Sequence, residues 1–196
     1  MNRKALTSVI VLFGALVLFP APSAEGRERT TRTRPASVKD FDSRRLAETI
    51  HGLVNKERGR KGQRPLVWDE WLFTIAANYS RDMAERRFFS HADPDGRTFT
   101  DRYRDDGYEC KVKQGNVTSL GGENIAQTGL YRSAVTRGGK TSYNWLAEEE
   151  IAAAVVKLWM NSKGHRQNIL TPYFRKQGIG VFITPDRKVY VTQNFC

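Results

Sequence analysis

Apolar residues fall into three runs with helical spacing and one stretch that alternates. In the first run, Leu46, Ile50, Leu53 and Val54 share a face, and Asp42 or Ser43 stands where a helix cap is needed. His51 lies off that stripe and is expected on the solvent side. The basic stretch from Lys56 to Arg64 contains Gly59 and Gly62, and Pro65 ends it as a loop. Leu66-Val67-Trp68 then reads as a buried plug. The second run is Leu72, Ile75, Ala76, Tyr79 and Met83 behind a cap at Asp69, ending near Arg87 with Phe88 and Phe89 tucked in before His91. The third is Ile151, Val155, Leu158 and Trp159, with Glu148 to Glu150 in the first turn, where the helix dipole favours acids. Gly164 is expected to break this helix just before His165, and Pro172 stops the short turn at Ile169-Leu170.

After Pro172 the period changes. Gly178 to Thr184 is β-branched and aromatic, Pro185-Asp186 turns it, and Lys188 to Thr192 returns as a β-hairpin. Gly121 to Gln127 reads as a glycine turn entering a short strand. Residues 97–120 read as a short helix and loops, and residues 128–144 as an exposed polar loop. Helices followed by a hairpin predict an α+β fold, with helices packed on a mostly antiparallel sheet.

The N-terminus adds a compartment to this picture. Arg3 and Lys4 precede an apolar run from Ala5 to Phe19, then small residues to Ala24. Residues 1–24 are read as a secretory signal peptide cleaved near Ser23 or Ala24. The run is short of the roughly 20 residues a membrane anchor needs, and no later stretch could span a bilayer. Residues 25–41 are read as a disordered basic linker and residues 42–196 as one domain. The formal net charge is +11, of which the signal segment and the linker each carry +2. The domain is therefore basic in its own right and suited to an anionic envelope surface. No run of Lys and Arg with interleaved aromatics favours nucleic acid. Export also gives meaning to the 2 cysteines. An even count suggests a bridge from Cys110 to Cys196, with two free thiols as the alternative.

Three histidines are few, so their settings matter. His91 follows two phenylalanines and precedes Asp93-Pro94-Asp95-Gly96, which has strong turn chemistry. A calcium loop is the sharper reading of those aspartates, but the other ligands of such a loop are missing. Glu123 lies between a double glycine and an apolar strand. His165 stands at a helix break. The apolar anchors beside them are Phe88 and Phe89, Ile125, and Ile169 with Leu170; burying these in one core should bring the three polar groups to a common rim. Two imidazoles and a carboxylate could ligate a divalent cation, act as an acid/base pair, or simply hydrogen-bond one another. A serine nucleophile would have to be Ser90 or Ser162, and neither has a nucleophile-elbow context.

Taken in order, these stretches resemble the CAP superfamily of cysteine-rich secretory proteins, antigen 5 and pathogenesis-related-1 proteins, also called the SCP domain. The resemblance covers residues 42–196. It is carried by Asn55-Lys-Glu-Arg58, Leu66-Val-Trp68, Phe89-Ser-His91, Asp93-Pro-Asp-Gly96 and Gly122-Glu-Asn-Ile-Ala126. Trp159, Ser162-Lys-Gly-His-Arg166, Asn168-Ile-Leu170, Gly178-Ile-Gly-Val181 and Tyr190-Val-Thr-Gln193 continue it. The resemblance implies a compact, prokaryotic-type member with an α-β-α sandwich. It also implies a cleft with two histidines and two glutamates, which in several members holds zinc or another divalent cation. By motif the histidines are His91 and His165 and the first glutamate is Glu123; the second glutamate position holds Ser162. The expectation is a secreted, non-enzymatic protein that binds a lipid, a peptide or an envelope component through this cleft, with weak divalent-metal binding. A metal-assisted or serine hydrolase, and an interaction module with a purely structural cleft, are the competing readings.

Overall fold

The computed structural model describes residues 37–196. The signal segment and most of the linker lie outside the described residues. Val38 and Phe41 pack on the main core, and Phe41 lies 6.1 Å from the Trp145 ring. A 3-10 turn at Val38–Asp40 leads into α1, Ser43–Arg60, whose first amides donate to the Asp42 carboxylate. Strand β1 (Val67–Trp68) and helix α2 (Glu70–Glu85) follow, with Asp69 capping α2. Next come α3 (Phe99–Asp105) and a small hairpin of β2 (Val112–Gln114) and β3 (Val117–Ser119). After β4 (Gly122–Gly129) stands a second hairpin of β5 (Tyr131–Arg137) and β6 (Lys140–Trp145). Helices α4 (Glu148–Asn161) and α5 (Lys163–Leu170) precede the last strands, β7 (Lys176–Ile183) and β8 (Lys188–Phe195).

The central sheet has the order β1-β7-β8-β4, antiparallel except where β1 runs parallel to β7. Its two faces follow the strand period of two. Ile179, Val181, Val189, Val191 and Phe195 join Leu46, Ile50, Val54, Ile151, Val155 and Trp159 in the main core. Tyr190 and Ile125 meet Tyr79 and Met83 of α2 on the other face. Helices thus cover both faces of the sheet, an α+β sandwich. α2 packs directly on β7 because two positions there have no side chain. A Cβ on Gly178 would stand 2.0 Å from the Phe73 backbone nitrogen, and one on Gly180 would stand 2.0 Å from that of Ala77.

Several motif residues turn out to be ties between elements. Arg58, fully buried, donates from Nη1 to the carbonyls of Ile169 and Thr171 and from Nε to that of Arg64. Asn55 holds Leu66 by its amide and its carbonyl, and Trp159 Nε1 donates to the Ile125 carbonyl. Glu148 is buried and accepts two bonds from Arg45, locking the start of α4 to α1. Cys110 and Cys196 form a disulfide with Cα atoms 5.7 Å apart, which ties the C-terminal strand to the segment before β2.

Other expectations change. Val67 is exposed, so only Leu66 and part of Trp68 plug the core. Phe89 and Leu158 are exposed, at 47% and 51%. His51 is half-buried rather than free, contacting Asn55, Gln177 and the edge of Trp68. Residues expected as a polar loop form the β5–β6 hairpin. Gly138 and Gly139, both with positive φ, make its turn, and the rings of Tyr131, Tyr143 and Trp145 brace it.

Candidate functional site

The site forms over β4, an edge strand, where the two helical layers both reach across. His91 is delivered by the segment leaving α2. Arg87 takes a left-handed φ of 58° and the Phe88 amide returns to the Met83 carbonyl, which ends the helix sharply. The Tyr79 hydroxyl then donates to the Ser90 carbonyl at 2.6 Å, with burial pushing its pKa up to about 12 so that it stays a donor. On the other side, Asp93 accepts the amides of Asp95 and Arg97, and Gly96 supplies the turn's positive φ. His91 therefore sits on backbone fixed before and after it.

Glu123 points from β4 into the layer of α2 and α3, and its side chain is 1% exposed. Both of its oxygens are engaged. Oε1 meets His91 Nδ1 at 2.9 Å, and Oε2 accepts from Arg102 Nη2 at 2.6 Å. Arg102, on α3, also donates to the carbonyls of Arg97 and His91, and its guanidinium lies 3.3 Å from the centre of the Tyr79 ring. A buried carboxylate is tolerable only with such a partner. In a neutral imidazole one nitrogen donates and the other accepts. A carboxylate can only accept, so in the neutral ring the proton sits on His91 Nδ1 and the lone pair on Nε2. That side chain is 52% exposed, so the lone-pair edge is open to solvent.

His165 comes from the first turn of α5. The break before it lies at Ser162, whose φ of −88° and ψ of 128° are extended; Gly164 is inside α5 and breaks nothing. Asn124 Nδ2 donates to the His165 carbonyl at 3.2 Å, and Asn168 Nδ2 donates to the Glu123 carbonyl at 3.1 Å, so α5 is pinned to β4 on both sides of the site. The His91 and His165 rings lie 6.0 Å apart, tilted by 54°. Burial, and then the neighbouring His91, lower the pKa of His165.

The three expected residues are thus brought together. Ser162 serves as the junction between α4 and α5. Ser90 Oγ accepts the amide of Ala92. Among the described residues no serine hydroxyl bonds either imidazole. Nor, among them, do three His, Cys, Asp or Glu side chains stand as a metal-binding group. The donors left for a divalent cation are the two imidazoles, short of the three or four protein ligands of a tight site. Glu123 is neutralised by a buried guanidinium, and a neutral hydroxyl residue stands at the second-glutamate position. Arg102 is the residue that sequence reading missed. Its only local signal is a helix beginning after a strong turn, and its partner is 21 residues away.

With this geometry in place, the comparisons with known proteins decide the family. Residues 51–195 match the family described as CAP, the cysteine-rich secretory protein family. The chain belongs to the CAP family. YkwD of Bacillus subtilis (strain 168) is 34% identical over 160 residues, covering 82% of this chain and 49% of that protein. The membrane protein YlbC of the same organism is 30% identical over 167 residues, covering 83% of this chain and 38% of its own. The chain thus spans half or less of the length of these two relatives. Among solved structures, an extracellular protein containing an SCP domain from Bacillus anthracis is 27% identical with a TM-score of 0.59, covering 83% of this chain and 44% of that one. An outer surface protein of Borrelia burgdorferi shares the fold at 18% identity and a TM-score of 0.58, covering 79% of this chain and 94% of that one.

Proposed function

We propose that this CAP domain is an exported binding protein whose His91–Glu123–His165 cleft holds a ligand by hydrogen bonds rather than through a metal. The observation that carries the reading is the buried Arg102–Glu123 pair beneath a half-exposed imidazole. A buried ion pair is weak support for stability. Here it fixes the ring and tautomer of His91, leaving Nε2 as an acceptor. His165 adds a second imidazole whose lowered pKa favours the neutral form. Two imidazole acceptors side by side suit a ligand that carries hydroxyl or amide donors. That chemistry fits a peptide or a hydroxylated envelope component better than a bare acyl chain. A groove of about 890 Å³ is lined by Phe88, Phe89, Phe182, Tyr190, Asp186 and Lys188, none of them a residue of the histidine cluster.

Export is supported by the signal-like N-terminus and by the extracellular and surface character in the names of the structural relatives. Among the described residues no helix is long and apolar enough to cross a membrane. The basic domain would favour an anionic envelope surface. A hydrolytic reading rests on the His91–Glu123 pair alone, which could orient a general base. The test is mass spectrometry of small molecules that co-purify from the culture medium of the native host. A donor-bearing compound retained by wild type and lost from a His91→Gln/His165→Gln double variant supports the proposal. Identical profiles for the two proteins contradict it.

A further inference from the structure

A second polar network starts at the cleft and runs away from it, through the main core, to the third histidine. Asn168 Nδ2 donates to Asn124 Oδ1 at 2.9 Å, and Asn124 Nδ2 donates to Gln193 Oε1 at 3.0 Å. Gln193 Nε2 donates to Gln177 Oε1 at 2.6 Å, and Gln177 Nε2 meets His51 Nδ1 at 2.7 Å. The far nitrogen of His51, Nε2, meets Asn55 Nδ2 at 3.2 Å. Asn124, Gln177 and Gln193 are fully buried. Fully buried amides linked in series across three strands are costly unless every bond is made.

The direction of these bonds is fixed at both ends by backbone. At the cleft, Asn124 Nδ2 must donate to the His165 carbonyl, so its other hydrogen also points outward, into the chain of amides. At the far end, Asn55 accepts the Leu66 amide on Oδ1 and donates to the Leu66 carbonyl, so Nδ2 is what it offers to His51. Both ends donate inward. A primary amide accepts at oxygen and donates at nitrogen, and a neutral imidazole accepts at one nitrogen and donates at the other. Gln193, Gln177 and His51 therefore only pass the direction along. One donor–donor meeting is unavoidable, and it falls at the longer of the two His51 contacts, the one to Asn55.

We infer that His51 is the remote end of a hydrogen-bond relay that positions His165 and Asn168, so that the protonation state of His51 is read at the cleft. Protonated, His51 donates at both nitrogens and adds a second mismatch. Gln177 and Gln193 can turn over to accept, but that moves the mismatch to Asn124. There it competes with the bonds to the His165 carbonyl and to Gln193. Lowered pH would therefore loosen α5 from β4 through a group on α1. Among the described charges, Glu48 on α1 favours the protonated ring. From β1 the ring meets the edge of Trp68, whose face carries Arg44, itself tied to Glu48 and Glu70. From β7 it meets the neutral Gln177. Burial opposes protonation and is the larger influence. The functional consequence rests on the proposed binding cleft; the relay itself can be tested without any ligand.

The test is an NMR titration of the ligand-free, disulfide-intact protein. The chain has 3 histidines, so a His91→Gln/His165→Gln double variant leaves His51 as the sole titrating imidazole without touching the relay. The expected result is a His51 midpoint below its ordinary value, with the side-chain amide resonances of Gln177, Gln193, Asn124 and Asn168 moving at that same midpoint. In wild type, adding His51→Gln should abolish that component at Asn124. Asn124 and Asn168 resonances that stay still while His51 titrates would overturn the relay. So would a His51 that remains neutral until the protein unfolds. A failed relay with intact ligand retention leaves the binding proposal standing, and the reverse outcome leaves the relay standing.

Discussion

Residue by residue, the groups that matter have their chemistry set by a partner. Glu123 can stay in the interior because Arg102 faces one oxygen and His91 the other. His51 and His165 are both held below the ordinary histidine pKa, chiefly by burial. Between the lowered folded value and the unfolded value of about 6.5, the unfolded chain binds more protons than the native one. Stability is therefore expected to fall as the pH drops from about 7.5 to about 5.5, and to be regained as pH rises. Urea midpoints measured across that range should show a smaller acid loss in His165→Gln than in wild type. An equal or greater loss would mean that the fold does not hold the His165 pKa down.

At the scale of the element, much of the architecture is legible in the sequence because helix stripes and the last hairpin bury one face each. Leu72, Ile75, Ala76, Tyr79 and Met83 all lie in the core as their spacing predicts. The β5–β6 hairpin is not legible, because its residues are mostly exposed and no apolar alternation marks them. Its one local sign is Gly138-Gly139. Leu158 fits the stripe of α4 yet faces solvent, since α4 packs only part of its surface. The sequence points to Gly164 as the break before His165, but the backbone turns at Ser162; glycine can sit in the first turn of a helix as readily as break one. Counting apolar positions alone places His51 outside, although a polar network can bury a residue that the stripe excludes. Gly178 and Gly180 mark the closest helix–sheet approach. Gly180→Ala should cost about 3 kcal/mol or more, since the neighbour its Cβ meets is backbone that cannot turn aside. A shift of the urea midpoint near zero would show that α2 can back away from β7.

At the scale of the molecule, the disulfide joins residues 86 apart in the chain. Closing so long a loop in the unfolded state should stabilise the fold by about 4–5 kcal/mol in the chain-entropy model. A Cys110→Ser/Cys196→Ser double variant compared with wild type by denaturant melts would read this. A loss well below about 1 kcal/mol would mean that the two ends already meet without the bond. The three polar residues do meet, but not because their apolar neighbours share one core: Phe88 and Ile125 pack with Tyr79 and Met83, Ile169 and Leu170 pack with the main core on the other face of the sheet, and Phe89 is exposed. The character of the site is not legible in the sequence, because Arg102 lies on a helix of its own and its bond to Glu123 depends on the packing of α3 against β4.

The proposed function depends most directly on Glu123, backed by Arg102, setting His91 as a hydrogen-bond acceptor in the cleft. Long-range proton–nitrogen NMR of the histidine rings near neutral pH reads this directly. The expected result is the Nδ1–H tautomer for the His91 ring, with that preference lost in Glu123→Gln. A His91 protonated on Nε2 in wild type, or a tautomer unchanged by Glu123→Gln, would contradict it.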